Sequence, residues 1–182
     1  MSVPSTEELV EVFTKNNEVH QAYVRYFIDR MIEDIEHRRD IHDDSKLSPE
    51  EILGFANGLP YLENSGIGED MKMPPDISDN LNKAVAHHYQ VNDHHPEYFE
   101  NLFEGMDLMT LIELVADWRA AMIRSGNTNY EASIQYGMKK YKMPEYFANI
   151  LRNTFQKLEK HVHAAEEEIG PHYFINKSQV QK

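Results

Sequence analysis

The segment 41-IHDDSKLSPEE-51 decides how the first half of the chain is organised, because signals that end one helix and start the next meet within it. Ser48 suits a helix N-cap, Pro49 suits the first helical position, and Glu51 completes a capping box with Ser48. We therefore predict a helix from residue 48 through Ala56. The residues before it are predicted to be a helix end followed by a tight connection.

Two interpretations of this connection are open. Asp44, Ser45 and Ser48 are common turn and cap residues, so local backbone chemistry explains them without any further function. His42 and Asp43 also suit a divalent metal ion, since imidazole and carboxylate ligands on adjacent residues can both turn toward one point. The positions of the other histidines and carboxylates along the chain distinguish the two interpretations.

Apolar residues elsewhere recur at three- and four-residue spacing, and no segment alternates for long enough to indicate a strand. Residues 57–77 contain three Gly and three Pro and show no sustained period, which favours either a lid or binding loop or simple mobile surface. We expect an all-α fold, a compact bundle of about six to eight helices in one domain over residues 1–182. The predicted helices cover residues 6–15, 17–37, 48–56, 78–89, 107–124, 129–141 and 144–169.

Composition restricts the function. The formal net charge of −13 disfavours binding to a nucleic-acid polymer, which requires clustered Lys and Arg, although a small phosphorylated ligand is compatible with it. With no cysteine, any metal must be held by His, Asp or Glu. The N-terminal residues do not resemble a signal peptide and no apolar run approaches a membrane span, so we expect a cytoplasmic protein that does not bind membranes.

Six of the ten histidines fall where predicted helices should meet. Each histidine has a simpler explanation on its own, as a hydrogen-bonded core residue or as part of a solvated doublet, and Asp117 could pair with a nearby arginine. The helical phase of 78–89 directs His88 inward and His87 outward. The order along the chain is more specific: a His, a His-Asp doublet, two further His positions and an Asp. The candidate ligands are His20, His42, Asp43, His88, His94, His95 and Asp117.

This order resembles the HD-domain superfamily of metal-dependent phosphohydrolases, whose pattern is a His, a His-Asp doublet and a later Asp, all carried on helices. Within it the chain is similar to a small bacterial and phage family of unassigned function, through HDDSKLSPEE, HHYQVNDHHPEYF and the Asp-Trp pair. The resemblance covers residues 16–124, and residues 125–182 form C-terminal helices outside it. Asp93 and Phe99 stand where that family usually has Pro and Trp, a difference that concerns packing.

The resemblance implies that His20, His42, Asp43 and Asp117 hold a divalent transition metal (Mn, Fe, Co, Ni or Zn). A second ion would use His88 with His94 or His95, but the gap between Asp43 and His88 is shorter than in the two-metal members of the superfamily. We expect one ion and leave a second open.

The activity implied is hydrolysis of a nucleotide or similar small phosphoester by a metal-activated water. Lys46 would contact a phosphate oxygen and Asp44 would orient the water or a ligand histidine, although solvation and turn formation also explain these two residues. Tyr89, Asn92 and Tyr98 flank the histidines and are candidates to contact a base or sugar.

Two alternatives stand beside this hypothesis. Some HD-type proteins with a histidine-rich two-iron site are oxygenases. A non-enzymatic binding module would instead use the metal for stability and present the acidic C-terminal helix, KLEKHVHAAEEE, to a partner. The Tyr and Phe clusters at 96–103 and 144–155 could pair protomers as readily as fill one core, which leaves a homo-oligomer open.

Overall fold

A computed structural model describes residues 4–62, 72–124 and 129–170 of the chain. Within these ranges every regular element is helical and none is a strand, so the predicted all-α class is confirmed. No helix in the described ranges is long and apolar enough to cross a membrane. The α-helices are α1 (Thr6–Ile41), α2 (Ile52–Gly58), α3 (Pro75–Val91), α4 (Leu108–Arg124), α5 (Tyr130–Tyr141), α6 (Glu145–Leu158) and α7 (Val162–Ile169).

The chain divides into two compact units, residues 1–42 and residues 43–182. The first unit is α1, which begins with the predicted capping box: Ser5 Oγ accepts from Glu8 N (3.2 Å) and Glu8 Oε2 accepts from Ser5 N (2.7 Å). The prediction of two helices, 6–15 and 17–37, is wrong because α1 is continuous through both. Asn16 and Asn17 are only slightly unfavourable in a helix interior, by less than about 1 kcal/mol each, which is too little to end a helix. The single-domain assignment stays a prediction.

The start of α2 lies later in the chain than predicted. The helix begins at Ile52, with Glu51 in the N-cap position, rather than at Ser48. Glu51 is fully buried, and its carboxylate binds the side chains of Ser45, His87 and His88. It therefore cannot reach back to the backbone of Ser48, as a capping box requires.

Helices α2 and α3 pack closely because Gly54 has no side chain at their contact. A Cβ on Gly54 would lie 2.5 Å from Ala84 Cβ and 2.8 Å from the Asn80 carbonyl oxygen, closer than atoms of a real side chain can approach. This close approach brings the N-terminal end of α2, with Glu51, against the last turns of α3. The loop predicted over 57–77 is shorter in the structure, because 57–58 belong to α2 and 75–77 to α3. A 3-10 turn spans Leu59–Tyr61, and residues 63–71 lie outside the described part.

The apolar core of the second unit lies among α4, α5 and α6. Its buried side chains are Val115, Met122, Ile134, Met143, Ala148, Leu151 and Phe155. Phe103 and Phe147 pack against this core with their ring centroids 5.2 Å apart, so these members of the two aromatic clusters fill one core. The helix predicted over 144–169 is interrupted by a 3-10 turn at Glu159–His161 and ends before Gly170, whose φ is 87°.

Candidate metal centre

Asp43 opens the second unit in a conformation that few residues adopt. Its φ of 61° lies in the left-handed region, which Asp tolerates better than most residues because its short polar side chain can bond locally. The 3-10 turn Asp44–Leu47 follows, with Lys46 N donating to the Asp43 carbonyl oxygen (2.9 Å). The Lys46 ammonium forms an ion pair with Asp43 Oδ2, which leaves Oδ1 on the other side of the carboxylate.

His88 reaches Asp43 from the last turn of α3. Its side chain is buried, and its Nε2 lies 3.2 Å from Asp43 Oδ1. The opposite ring nitrogen, Nδ1, lies 3.0 Å from Glu51 Oε2. The inward orientation predicted for His88 is therefore confirmed, whereas His87 is half-buried and binds the other Glu51 oxygen through Nδ1 at 2.8 Å.

His94 and His95 lie on the turn that follows α3. His95 N donates to the Asn92 carbonyl oxygen (3.2 Å), and the buried Pro96 starts a 3-10 turn directly after them. His94 is buried, with Nε2 3.5 Å from Asp43 Oδ1 and Nδ1 3.1 Å from Glu113 Oε1. His95 places its Nε2 3.0 Å from His88 Nε2.

Asp43, His88, His94 and His95 form a group that could hold a metal ion. Each offers one ligand atom, and these atoms all lie within 4.8 Å of one another. One carboxylate and three imidazoles suit Mn, Fe, Co, Ni or Zn better than Mg or Ca, which prefer oxygen ligands. The donor set therefore fits the predicted class of metal.

The protonation of these groups agrees with metal binding. Burial raises the pKa of Asp43, but hydrogen bonds from His88, His94 and Lys46 outweigh it and hold the pKa well below the usual value. Burial, with smaller contributions from the neighbouring His94 and His88, lowers the pKa of His95 to about 4. At neutral pH the group thus contains an ionised carboxylate and a neutral His95 imidazole, the forms that bind metals.

The remaining predicted ligands fall in different places. Asp117, half-buried on α4, has a carboxylate oxygen within 4.8 Å of one from Asp43, so the structure brings it beside the group. His20 lies on α1 with an exposed side chain, and His42 is the half-buried last residue of the first unit. For His20 and His42 the assignment as ligands stays a prediction.

The five residues predicted to contact or act on substrate differ in how close they lie to the group. Lys46 adjoins it through Asp43, and the half-buried Tyr89 ring lies 4.8 Å from the His95 ring. Asn92 donates to Ser45 Oγ (2.7 Å) and the His88 carbonyl oxygen (2.8 Å), so its amide hydrogens support the group. Asp44 and Tyr98 are exposed. The substrate roles of all five stay predictions.

Sequence reasoning missed the two carboxylates that bind the Nδ1 atoms, Glu51 and Glu113. Glu51 was explained as part of a capping box, which gave it a local role. Glu113 lies four residues before Asp117 on α4, and this spacing places both on one helix face. That spacing could have found Glu113, whereas no local signal pairs Glu51 with a histidine 37 residues away.

Comparison with known proteins identifies a match to a family of unknown function. No curated protein and no solved structure matches the chain. A family model described as "Family of unknown function (DUF5662)" matches residues 11–159. This match spans most of the chain and includes the whole candidate metal centre, so the protein belongs to the DUF5662 family.

Proposed function

We propose that this protein is a metal-dependent phosphohydrolase that acts on a nucleotide or a similar small phosphoester. The observation that supports it most is the convergence of Asp43, His88, His94 and His95 ligand atoms within 4.8 Å. The reaction class comes from the resemblance to HD-domain phosphohydrolases of HDDSK and of the order His, His-Asp and Asp along the chain.

The centre would hold one divalent transition metal through Asp43 and the three imidazoles, with Asp117 beside them. Such an ion lowers the pKa of a bound water and polarises a phosphoryl oxygen. The lowered pKa values of Asp43 and His95 keep the carboxylate ionised and the imidazole neutral at neutral pH, which are the forms that bind a metal.

Lys46 provides positive charge at the edge of the centre. Its ammonium pairs with Asp43 Oδ2 while Oδ1 faces His88 and His94. The Lys46 side chain is 39% exposed, so an anionic substrate can reach it from solvent. A phosphate group at the centre would find both a metal and an ammonium group, which stabilise negative charge in the transition state.

Tyr89 supplies a wall for the rest of the substrate. Its half-buried ring has its centroid 4.8 Å from the His95 ring and 5.7 Å from Lys140 Nζ. Aromatic rings pack against flat groups such as nucleobases. We propose that the exposed part of Tyr89 contacts the base or sugar of a nucleotide.

The test has two steps on purified full-length protein. Elemental analysis of the wild type and Asp43→Asn comes first, because Asn preserves the shape of the side chain and tolerates the left-handed backbone. Phosphate release from nucleoside mono-, di- and triphosphates, cyclic nucleotides and small phosphomonoesters is then measured with and without chelator. We expect near-stoichiometric metal and chelator-sensitive hydrolysis in the wild type, both lost in Asp43→Asn.

Lys46→Met separates substrate binding from metal binding. We expect it to keep the metal and to lower phosphoester turnover, with KM raised. A metal-loaded wild type that releases no phosphate from any substrate contradicts the proposal. Oxygen consumption in that case would indicate an oxygenase, and inertness in both assays with metal-dependent stability would indicate a binding module.

A further inference from the structure

Two of the three imidazoles at the centre are held in the same way from behind. His88 Nδ1 lies 3.0 Å from Glu51 Oε2, and His94 Nδ1 lies 3.1 Å from Glu113 Oε1. The Nε2 atoms of both rings point to one oxygen, Asp43 Oδ1, at 3.2 and 3.5 Å. Each histidine therefore lies between a carboxylate on one side and the proposed metal position on the other.

Three polar atoms surround His88 Nδ1: Glu51 Oε2, Ser45 Oγ and Asn92 Nδ2 each lie 3.0 Å from it. The Asn92 amide donates to Ser45 Oγ (2.7 Å) and to the His88 carbonyl oxygen (2.8 Å), and the Ser45 hydroxyl donates to Glu51 Oε2 (3.1 Å). This leaves a carboxylate oxygen of Glu51 as the acceptor for His88 Nδ1. When a metal ion takes the place of the contact between His88 Nε2 and Asp43 Oδ1, the neutral ring keeps its hydrogen on Nδ1 and donates it to Glu51 Oε2.

Glu51 is suited to this role by its burial and its contacts. Its side chain is fully buried, and its carboxylate contacts the side chains of Ser45, His87 and His88. A buried carboxylate that accepts three side-chain hydrogen bonds is fixed in position, so it fixes the ring that donates to it.

We propose that Glu51 and Glu113 are a pair of positioning residues for the metal centre. Each accepts the Nδ1 hydrogen of one histidine and turns the Nε2 lone pair of His88 or His94 toward the ion, without binding the ion itself. This inference rests on the proposed metal-dependent function, because it assigns the groups that orient the ligands. Carboxylates behind metal-binding histidines fix the ring orientation and raise ligand basicity.

The experiment uses Co²⁺ alone as the probe, because its visible absorption reports the ligand geometry. Full-length wild type, Glu51→Gln, Glu51→Ala and Glu113→Gln are titrated with Co²⁺, and circular dichroism establishes that each variant is folded. We expect Co²⁺ affinity to fall about 10- to 100-fold in Glu51→Ala and by less in Glu113→Gln, whose amide oxygen can still accept from His94. Glu51→Gln should lie between wild type and Glu51→Ala, because its amide oxygen can still accept from His88.

Glu131→Gln is the matched control. Glu131 is an ionised carboxylate of the same unit that binds Arg152 through both oxygens, at 2.8 Å each, and it has no place in the group of candidate ligands. We expect its Co²⁺ affinity and spectrum to equal those of the wild type. Wild-type affinity and spectrum in both Glu51→Ala and Glu113→Gln would overturn the positioning role while the metal centre stands.

A second measurement does not depend on the variants folding. Nitrogen-15 NMR of the histidine rings in Zn²⁺-loaded wild type is expected to show His88 and His94 protonated at Nδ1 and metal-bound at Nε2. Metal bound at Nδ1 of either ring would overturn the inference. A wild type that takes up neither Co²⁺ nor Zn²⁺ would overturn both this inference and the proposed function, which distinguishes that failure from a failure of positioning alone.

Discussion

The second unit has two interiors of different chemistry. Among α4, α5 and α6, a buried apolar cluster includes Ile134, Leu151 and Phe155, although α4 also buries Thr110 and Arg119. At the ends of α2 and α3, the buried side chains are Glu51, His88 and His94. Apolar burial stabilises in proportion to area and is not directional, whereas a buried polar group needs a partner at the correct distance and angle. The first interior should therefore govern stability and the second should govern metal binding.

The largest expected effect tests the apolar interior. Phe155→Ala removes a fully buried ring and should lower the free energy of unfolding by about 3 to 5 kcal/mol, as measured by urea denaturation. Tyr146→Ala on the same helix removes a ring that is 72% exposed and should change stability by less than about 0.5 kcal/mol. Co²⁺ affinity of folded Phe155→Ala should equal that of wild type. A large loss of affinity would show that the two interiors are not separable.

The next effect tests the polar interior. A metal that binds only the folded state should stabilise wild type by about 2.7 kcal/mol at a free concentration of 100 times Kd. Asp43→Asn should show no such stabilisation, because it removes the charge shared by His88, His94 and Lys46. Thermal unfolding with and without metal measures the difference. Equal stabilisation of both proteins would place the metal elsewhere.

A smaller effect concerns the connection between the two interiors. Glu97, on the 3-10 turn after His95, accepts from Lys140 Nζ (2.7 Å) and Tyr141 Oη (3.0 Å) at the end of α5. Tyr141→Phe removes one of these hydrogen bonds and should destabilise by about 1 kcal/mol. Because the turn carries His94 and His95, Co²⁺ affinity should also fall. Unchanged affinity with lowered stability would show that the turn is positioned by Glu113 and Asp43 without α5.

The smallest effect is electrostatic and lies away from both interiors. Hydrogen bonds from Arg152, and to a lesser extent from Gln135, lower the pKa of Glu131 from 4.5 to about 2. Because the folded pKa is lowered, this contribution is present above pH 4.5 and is lost as the pH falls toward 2. Solvent screening at the exposed pair limits it to less than about 1 kcal/mol.

Glu131→Gln should therefore reduce the difference in stability between pH 5 and pH 3 by part of that amount, since the rest is lost between pH 3 and about pH 2; denaturation at each pH measures it. An undiminished pH dependence would show that Glu131 contributes nothing. The same variant should leave the Co²⁺ affinity of the metal centre unchanged.

Local patterns predicted the helices well where one turn contains the whole signal. Asp107 Oδ1 accepts from Met109 N and Thr110 N at the start of α4, and Asn129 caps α5, so both helices begin within one residue of their predicted starts, 107 and 129. The same local reasoning failed at Ser48, where tertiary contacts took the Glu51 side chain away from its cap. It also failed at residue 16, where a continuous helix replaced a predicted break.

The sequence by itself determined the all-α class, the inward face of His88 and the nature of the candidate ligands, because helical periodicity and side-chain chemistry are local properties. Only the tertiary structure decided that Asp43, His88, His94 and His95 converge, and that Glu51 and Glu113 lie behind two of the imidazoles. Glu51 and His88 are 37 residues apart, and the close packing of α2 on α3 brings them together. Contacts of this range depend on how helices pack, which no single segment encodes.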